Sequence, residues 1–324
     1  MKLLNMKIFA QVALVGLLLL AACQGNQMNT PPGATSPVIS VAVNSIGTWQ
    51  ATPLAVDASA SQVEYNLILV VLSSSGGPAK QDVHVTMVPA TDSLASYNAA
   101  TGNNYVMPGG PGTPAFTLVD GGVVTIPKGS NIGYLKIQTT SADYFGATSY
   151  AFAYRISSVQ ESGYVISANN GYNITPFIPK NQYDGVYDLS LNTTGWGAYG
   201  IADDNVFRDY GNVALSTISL TSCSFLNLVR GDNLQPGFTS AGGATGFGAA
   251  SPNFVFDSSN KLVNVYNAIP PDTRNRTFSI NPAATSSENL YDPASKKIVA
   301  NYLFHQNGRP DMVVKAVLTY VGSR

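Results

Sequence analysis

Charge is what this sequence has least of. Lys, Arg, Asp and Glu make up 11% of its 324 residues, against about 25% in typical soluble proteins. The 17 basic and 18 acidic side chains nearly cancel, leaving a net charge of −1. No basic patch is available to neutralise a phosphate backbone, so nucleic acid is a poor partner class. Histidine occurs twice, at His84 and His305, far apart and each on an alternating stretch. Neither stands beside a Gly-x-Ser-x-Gly motif, a cysteine partner or metal-ligand spacing, so the familiar routes to nucleophilic and metal catalysis are missing. No cofactor is expected. Cysteine also occurs twice, at Cys23 and Cys223. With Cys23 assigned to lipid, as argued next, one thiol is left over, and folding must rest on packing rather than a disulfide. Cys223, in Ser222-Cys223-Ser224-Phe225, reads as a small buried hydrophobe.

Long apolar runs are missing too. Ile8–Leu20 is 13 residues, short of the roughly 20 that span a bilayer as a helix. It follows Lys2 and Lys7 and ends at Leu20-Ala21-Ala22-Cys23. Basic start, short apolar core and small residues before a cysteine are the layout of a bacterial lipoprotein signal peptide. Residues 1–22 are expected to be removed and Cys23 to take the lipid. Two or three acyl chains, each methylene contributing roughly 0.8 kcal/mol, would make attachment close to permanent. The expected location is the outer membrane, by lipid anchor, on either its outer or its periplasmic face. Residues 24–37, with Pro31-Pro32-Gly33, read as a tether.

The remainder is rich in Gly, Asn, Ser, Thr and Tyr, a mix that favours strands and turns over exposed helices. From residue 38 to 179 the pattern predicts strands at Val38–Val43, Val63–Leu72, Val83–Val88, Val123–Ile126, Ile132–Thr139 and Tyr150–Val159. Short strands with turn residues between them point to an immunoglobulin-like β-sandwich. One short helix interrupts, with an N-cap offered by Thr91-Asp92-Ser93 and a stop at Gly102. Asn173–Lys180 carries two prolines and is expected to close this domain.

A second pattern runs over residues 180–324. It predicts strands at Val186–Leu191, Val213–Thr221, Phe254–Phe256, Leu262–Tyr266, Arg276–Ile280, Ile298–Phe304 and Met312–Tyr320, with a hairpin at Gln306-Asn307-Gly308. Antiparallel strands in this number fit a small β-barrel or an open β-sandwich. The Gly-rich stretch Pro236–Pro252 is expected to be a mobile loop. The fold class is therefore all-β, in two parts.

Several segments resemble a family of two-domain lipoproteins from Bacteroidetes that carry domain of unknown function 1735. They are the helix ending Tyr97-Asn98, Tyr105-Val106-Met107-Pro108, Val124–Ser130, Tyr150–Ile156, the joint Pro179–Gly185 and Leu318–Arg324. The resemblance implies an N-terminal immunoglobulin-like sandwich followed by a lipocalin-like β-domain. It also implies a non-catalytic role in polysaccharide utilisation, by glycan binding or cell-surface adhesion. Poly- or oligosaccharide and an outer-membrane transporter complex are the candidate partners. It carries no catalytic residues. Gln24-Gly25-Asn26-Gln27 departs from the acidic residues that surface-exported members often place after the lipidated cysteine, which leaves the membrane face open.

The strongest binding candidate is Gly195-Trp196-Gly197-Ala198-Tyr199-Gly200. Sugar C–H faces stack on aromatic rings, and flanking glycines leave few side chains to bury them. Asp203 and Asp204 follow closely and would accept hydrogen bonds from hydroxyls. The competing reading makes Trp196 a plug for one end of the barrel. A calcium role for Asp203-Asp204-Asn205 lacks the ligand spacing of a calcium loop. The alternatives to glycan binding are an adhesion protein that pairs sheet edges with a protein partner and a glycoside hydrolase. The latter needs two carboxylates about 5–10 Å apart, and Asp184, Asp188, Asp203 and Asp204 are its first suspects.

Overall fold

The structure, a computed structural model, describes residues 36–324 except 44, 47, 59–62, 75–76, 203–204, 232–237, 241–242, 246 and 271. Cys23, the signal segment and nearly all of the tether lie outside the described residues. Among those described, no helix is long and apolar enough to cross a membrane.

The first half forms two five-stranded sheets packed face to face. One has the spatial order Val165–Ile166, Val38–Val41, Val63–Ser73, Ile132–Thr139, Phe116–Leu118. The other runs Leu54–Asp57, Tyr172–Lys180, Tyr150–Val159, Val83–Pro89, Val123–Ile126. Alternation decides the packing. Within Ile132–Thr139 every second residue is buried, as a period of two on a half-covered sheet requires. Ile39, Val41, Val70, Leu72 and Ile137 of one sheet meet Val85, Phe152, Tyr154 and Phe177 of the other. A Cβ on Gly133 would come within 2.5 Å of Thr125 O, so glycine lets the two sheets close where they nearly touch. This is the immunoglobulin-like sandwich the pattern implied.

Asn173–Lys180, expected to close the domain, lies in the strand Tyr172–Lys180, which sits inside its sheet between Tyr150–Val159 and Leu54–Asp57. Two prolines argue against an internal strand because each lacks a ladder donor. Ile174 O and Lys180 O accept from Thr52 and Ala58, so even-numbered residues face that side. Pro176 faces it too, just ahead of Phe177↔Leu54, the first pair of that ladder. Pro179 faces the other way and lies beyond Phe177↔Tyr150, the last pair of its other ladder.

The helix spans Thr91–Thr101 and ends as expected at Gly102, with φ 73° and its N–H on Asn98 O. Its N-cap is not Thr91, Asp92 or Ser93 but Ala90, which offers no side-chain acceptor. Asp92 instead pairs with Arg155 at 2.9 Å. Leu94 and Tyr97 pack on Ala151, Ala153 and Ile174, on the outer side of the second sheet. Trp49 is half-buried beside them, edge-on to Tyr97.

The second half is one nine-stranded antiparallel sheet. Its order is Leu262–Asn267, Pro252–Phe256, Ser222–Asn227, Asn205–Ser219, Gly185–Thr194, Met312–Gly322, Lys297–His305, Thr277–Ile280, with Asn289–Asp292 also on Lys297–His305. The sheet curls until its ends meet. Tyr291 N donates to Asn260 O and Asn267 Nδ2 to Arg276 O, both at 2.9 Å. The result is a near-closed barrel. Gly185–Thr194 alternates inward and outward without a break. The interior is filled with rings: Tyr187, Trp196, Phe225, Phe254, Tyr302 and Phe304 among them. Cys223 joins this core, and burial pushes its thiol pKa well up, so it is an inert hydrophobe as read.

The Gly-rich stretch Pro236–Pro252 does not behave as a featureless loop. It holds a small hairpin, Phe238–Ser240 with Gly243–Thr245. It then sends Phe247 and Ala250 into the barrel core, where Phe247 packs edge-on against Phe304 at 5.1 Å. One apolar ring among glycines is enough to anchor the segment, since its burial removes a large apolar surface from water.

Candidate functional site

The site is built where strand Gly185–Thr194 leaves the barrel. Gly195 has φ +100°, and a Cβ there would lie 2.8 Å from Asp311 O. Only glycine fits a backbone so placed. The chain then drops Trp196 inward, makes a short 3₁₀ turn at Gly197–Tyr199, and stops at Gly200 in the left-handed conformation. Tyr199 N and Ile201 N both donate to Trp196 O, at 2.9 and 3.3 Å. Two residues from one turn thus take opposite directions.

Trp196 is 4% exposed. Its indole Nε1 donates to Pro310 O at 2.7 Å, and its ring lies 5.6 Å from that of Phe304. The indole closes one end of the barrel. Tyr199 is 44% exposed, with its ring 6.1 Å from that of Trp196 and inclined by 58°. Arg309, from the turn after Lys297–His305, fills the corner between them. Its guanidinium carbon is 4.5 Å from each ring centroid, within range of a cation–π contact with both.

Of the residues singled out from sequence, Trp196 and Tyr199 therefore meet, but only Tyr199 offers a face to solvent. Asp203 and Asp204, and with them the calcium reading, lie outside the described residues. Among the described residues no group of three or more His, Cys, Asp or Glu side chains could hold a metal. Asp184 is buried: its side chain is 2% exposed. It accepts from Thr217 N and Thr217 Oγ1 at 2.9 Å each, and pairs with Arg324 at 3.2 Å and Lys180 at 3.4 Å. Burial alone would raise its pKa, but these donors outweigh it and hold the carboxyl below its ordinary value.

Two features were not legible in the sequence. One is Arg309, which sits 113 positions from Trp196; no local motif links them. The other is a hydrogen-bonded row from two strands to the residue before a third. Ser279 Oγ lies 2.6 Å from His305 Nε2, and His305 Nδ1 lies 2.6 Å from Asp311 Oδ1. The atom order is that of a nucleophile–base–carboxylate relay. The strand geometry takes the Ser279 N–H away as an oxyanion donor, however. Asn281 N donates to Asn301 O, so with a period of two the Ser279 N–H also points into the ladder, toward its partner Leu303.

A family model for an N-terminal domain matches residues 35–163. No curated protein matches the chain. Among solved structures, a protein of unknown function from Bacteroides ovatus aligns with a TM-score of 0.53 at 13% identity, covering 89% of this chain and 95% of that one. That likeness shows a shared fold. A multidomain protein including domain of unknown function 1735, also from B. ovatus, aligns at 13% identity over 88% of this chain and 92% of its own, with a TM-score of 0.40. A protein described as an auxiliary nutrient binding protein, from Bacteroides thetaiotaomicron, aligns at 16% identity over 83% and 90%, with a TM-score of 0.39. The N-terminal match and the fold shared with the first of these structures agree with the resemblance to a two-domain Bacteroidetes family.

Proposed function

We propose that this chain is a non-catalytic glycan-binding protein, held to the outer membrane by lipid on Cys23, that captures saccharide for a polysaccharide-utilisation system. In this reading residues 38–179 are a spacer and residues 180–324 carry the site. The observation that supports it is Tyr199, a large aromatic ring kept 44% exposed on a turn whose other ring is locked in the core. An isolated tyrosine gains little from such exposure, whereas a sugar face gains a stacking platform. Affinity-gel electrophoresis of the full chain against a panel of plant and microbial polysaccharides tests it. Retardation by at least one polymer, lost in Tyr199→Ala, is expected. Unchanged retardation in that variant would remove the site.

Adhesion by edge pairing has less to work with. The strands at the sandwich edges are Val165–Ile166, Phe116–Leu118, Leu54–Asp57 and Val123–Ile126, two to four residues each. Edges this short present few unpaired backbone groups to a partner strand.

A further inference from the structure

The charge around Tyr199 points to the kind of sugar. We infer that the corner selects acidic saccharides, with Arg309 pairing to the carboxylate of a hexuronate whose ring stacks on Tyr199. The inference rests on the glycan-binding reading above and narrows it.

In a chain this poor in charge, three arginines gather at one end of the barrel. Arg309 lies in the corner itself. Arg274 is exposed, and its backbone oxygen accepts from Asn307 N at 2.9 Å, which ties it to the same turn. Arg276 is nearby, through Nε to Gln306 Oε1 at 3.2 Å. Among the described residues, the carboxylates of Asp272 and Asp311 are already engaged. Asp272 pairs with Arg276. Asp311 pairs with His305 Nδ1 at 2.6 Å. Among the described residues, Arg309 and Arg274 form no ion pair.

The guanidinium carbon of Arg309 stands over both rings at 4.5 Å, which limits where the side chain can go. A guanidinium matches a planar carboxylate bidentately. Such an arrangement is wasteful as a mere stabiliser of the turn. It is suited to reading an anion presented beside an aromatic platform.

The test uses polygalacturonate, its methyl ester and neutral mannan as probes on the full chain, wild type, Arg309→Lys, Arg309→Gln and Tyr199→Ala. Wild type is expected to bind polygalacturonate and to bind the ester and mannan about tenfold more weakly or worse, the scale of one charge-assisted hydrogen-bond pair. Arg309→Lys is expected to lose most of that preference although it keeps the charge. Near-UV circular dichroism on each variant keeps folding and binding apart. Tyr199-dependent binding of mannan with no preference for polygalacturonate would overturn the acidic selectivity and leave glycan binding standing. No retardation by any of the three, together with none across the wider panel, would overturn both.

Discussion

Trp196 donates its indole N–H to the carbonyl of Pro310 at 2.7 Å. This one bond joins the turn at residues 195–200 to the hairpin that carries Arg309. The ring is committed to holding the barrel end shut, and the exposed ring of the turn is that of its neighbour Tyr199.

Replacing Trp196 should therefore be read as a stability experiment. Trp196→Ala is expected to cost about 3–5 kcal/mol in urea denaturation, the range for truncating a buried aromatic. Tyr199→Ala is expected to stay within about 0.5 kcal/mol of wild type, as surface changes do. If the two variants were equally stable, the plug assignment would fail.

Gly195→Ala tests the backbone of the same turn. A methyl group would face Asp311 O at 2.8 Å on a residue with φ +100°. A loss of about 1–3 kcal/mol is expected, with the midpoint of denaturation shifted and the m-value retained. No loss would show that the turn relaxes freely.

Asp184 predicts a pH dependence. Its folded pKa lies below the ordinary carboxyl value, so the unfolded chain takes up its proton first as the pH falls. Its contribution is complete above about pH 4, the unfolded value, and is lost as the pH drops through the folded value. Stability measured from pH 6 to pH 2 should decline below about pH 4 in wild type and more shallowly in Asp184→Asn. Parallel curves would mean that other carboxylates carry the effect.

The Ser279–His305–Asp311 row is expected to be unreactive. A fluorophosphonate probe should label wild type no more than Ser279→Ala, because the Ser279 N–H is turned into the ladder with Leu303. Specific, stoichiometric labelling would revive a hydrolase reading.

The anchor has its own test. Cells grown with labelled palmitate should label wild type and not Cys23→Ser. Glycan capture also needs the outer face, so protease added to intact cells should remove the protein. Survival under that treatment would leave the proposed site without access to polysaccharide.

Much of the fold could be read from alternation. Ile132–Thr139 and Lys297–His305 run between the expected turns, and Phe304 faces Met312 across the predicted hairpin. These strands are legible because one face is covered and one is not, which writes a period of two into the residues. The inner place of Tyr172–Lys180 in its sheet was not legible, because two prolines in one stretch point to an edge. Phe247 was hidden for a related reason. Glycine-rich flanks look like a loop until the pocket that takes the ring is known. At the site, the sequence marked Trp196 and Tyr199 together and offered Trp196 as a plug, but it did not separate Tyr199 from it as the ring that faces out.

The sequence by itself determined the β-pattern, the positions of the tight turns and the lack of any strong charge, since these follow from side-chain period, backbone freedom and composition. Only the tertiary structure decided that Trp196 is spent on the core, that Tyr199 remains exposed, and that Arg309 arrives from 110 positions away to stand over it. Those are outcomes of strand pairing between Gly185–Thr194 and Met312–Gly322. It brings the end of Gly185–Thr194 against the turn after Lys297–His305, a contact no local stretch of residues encodes.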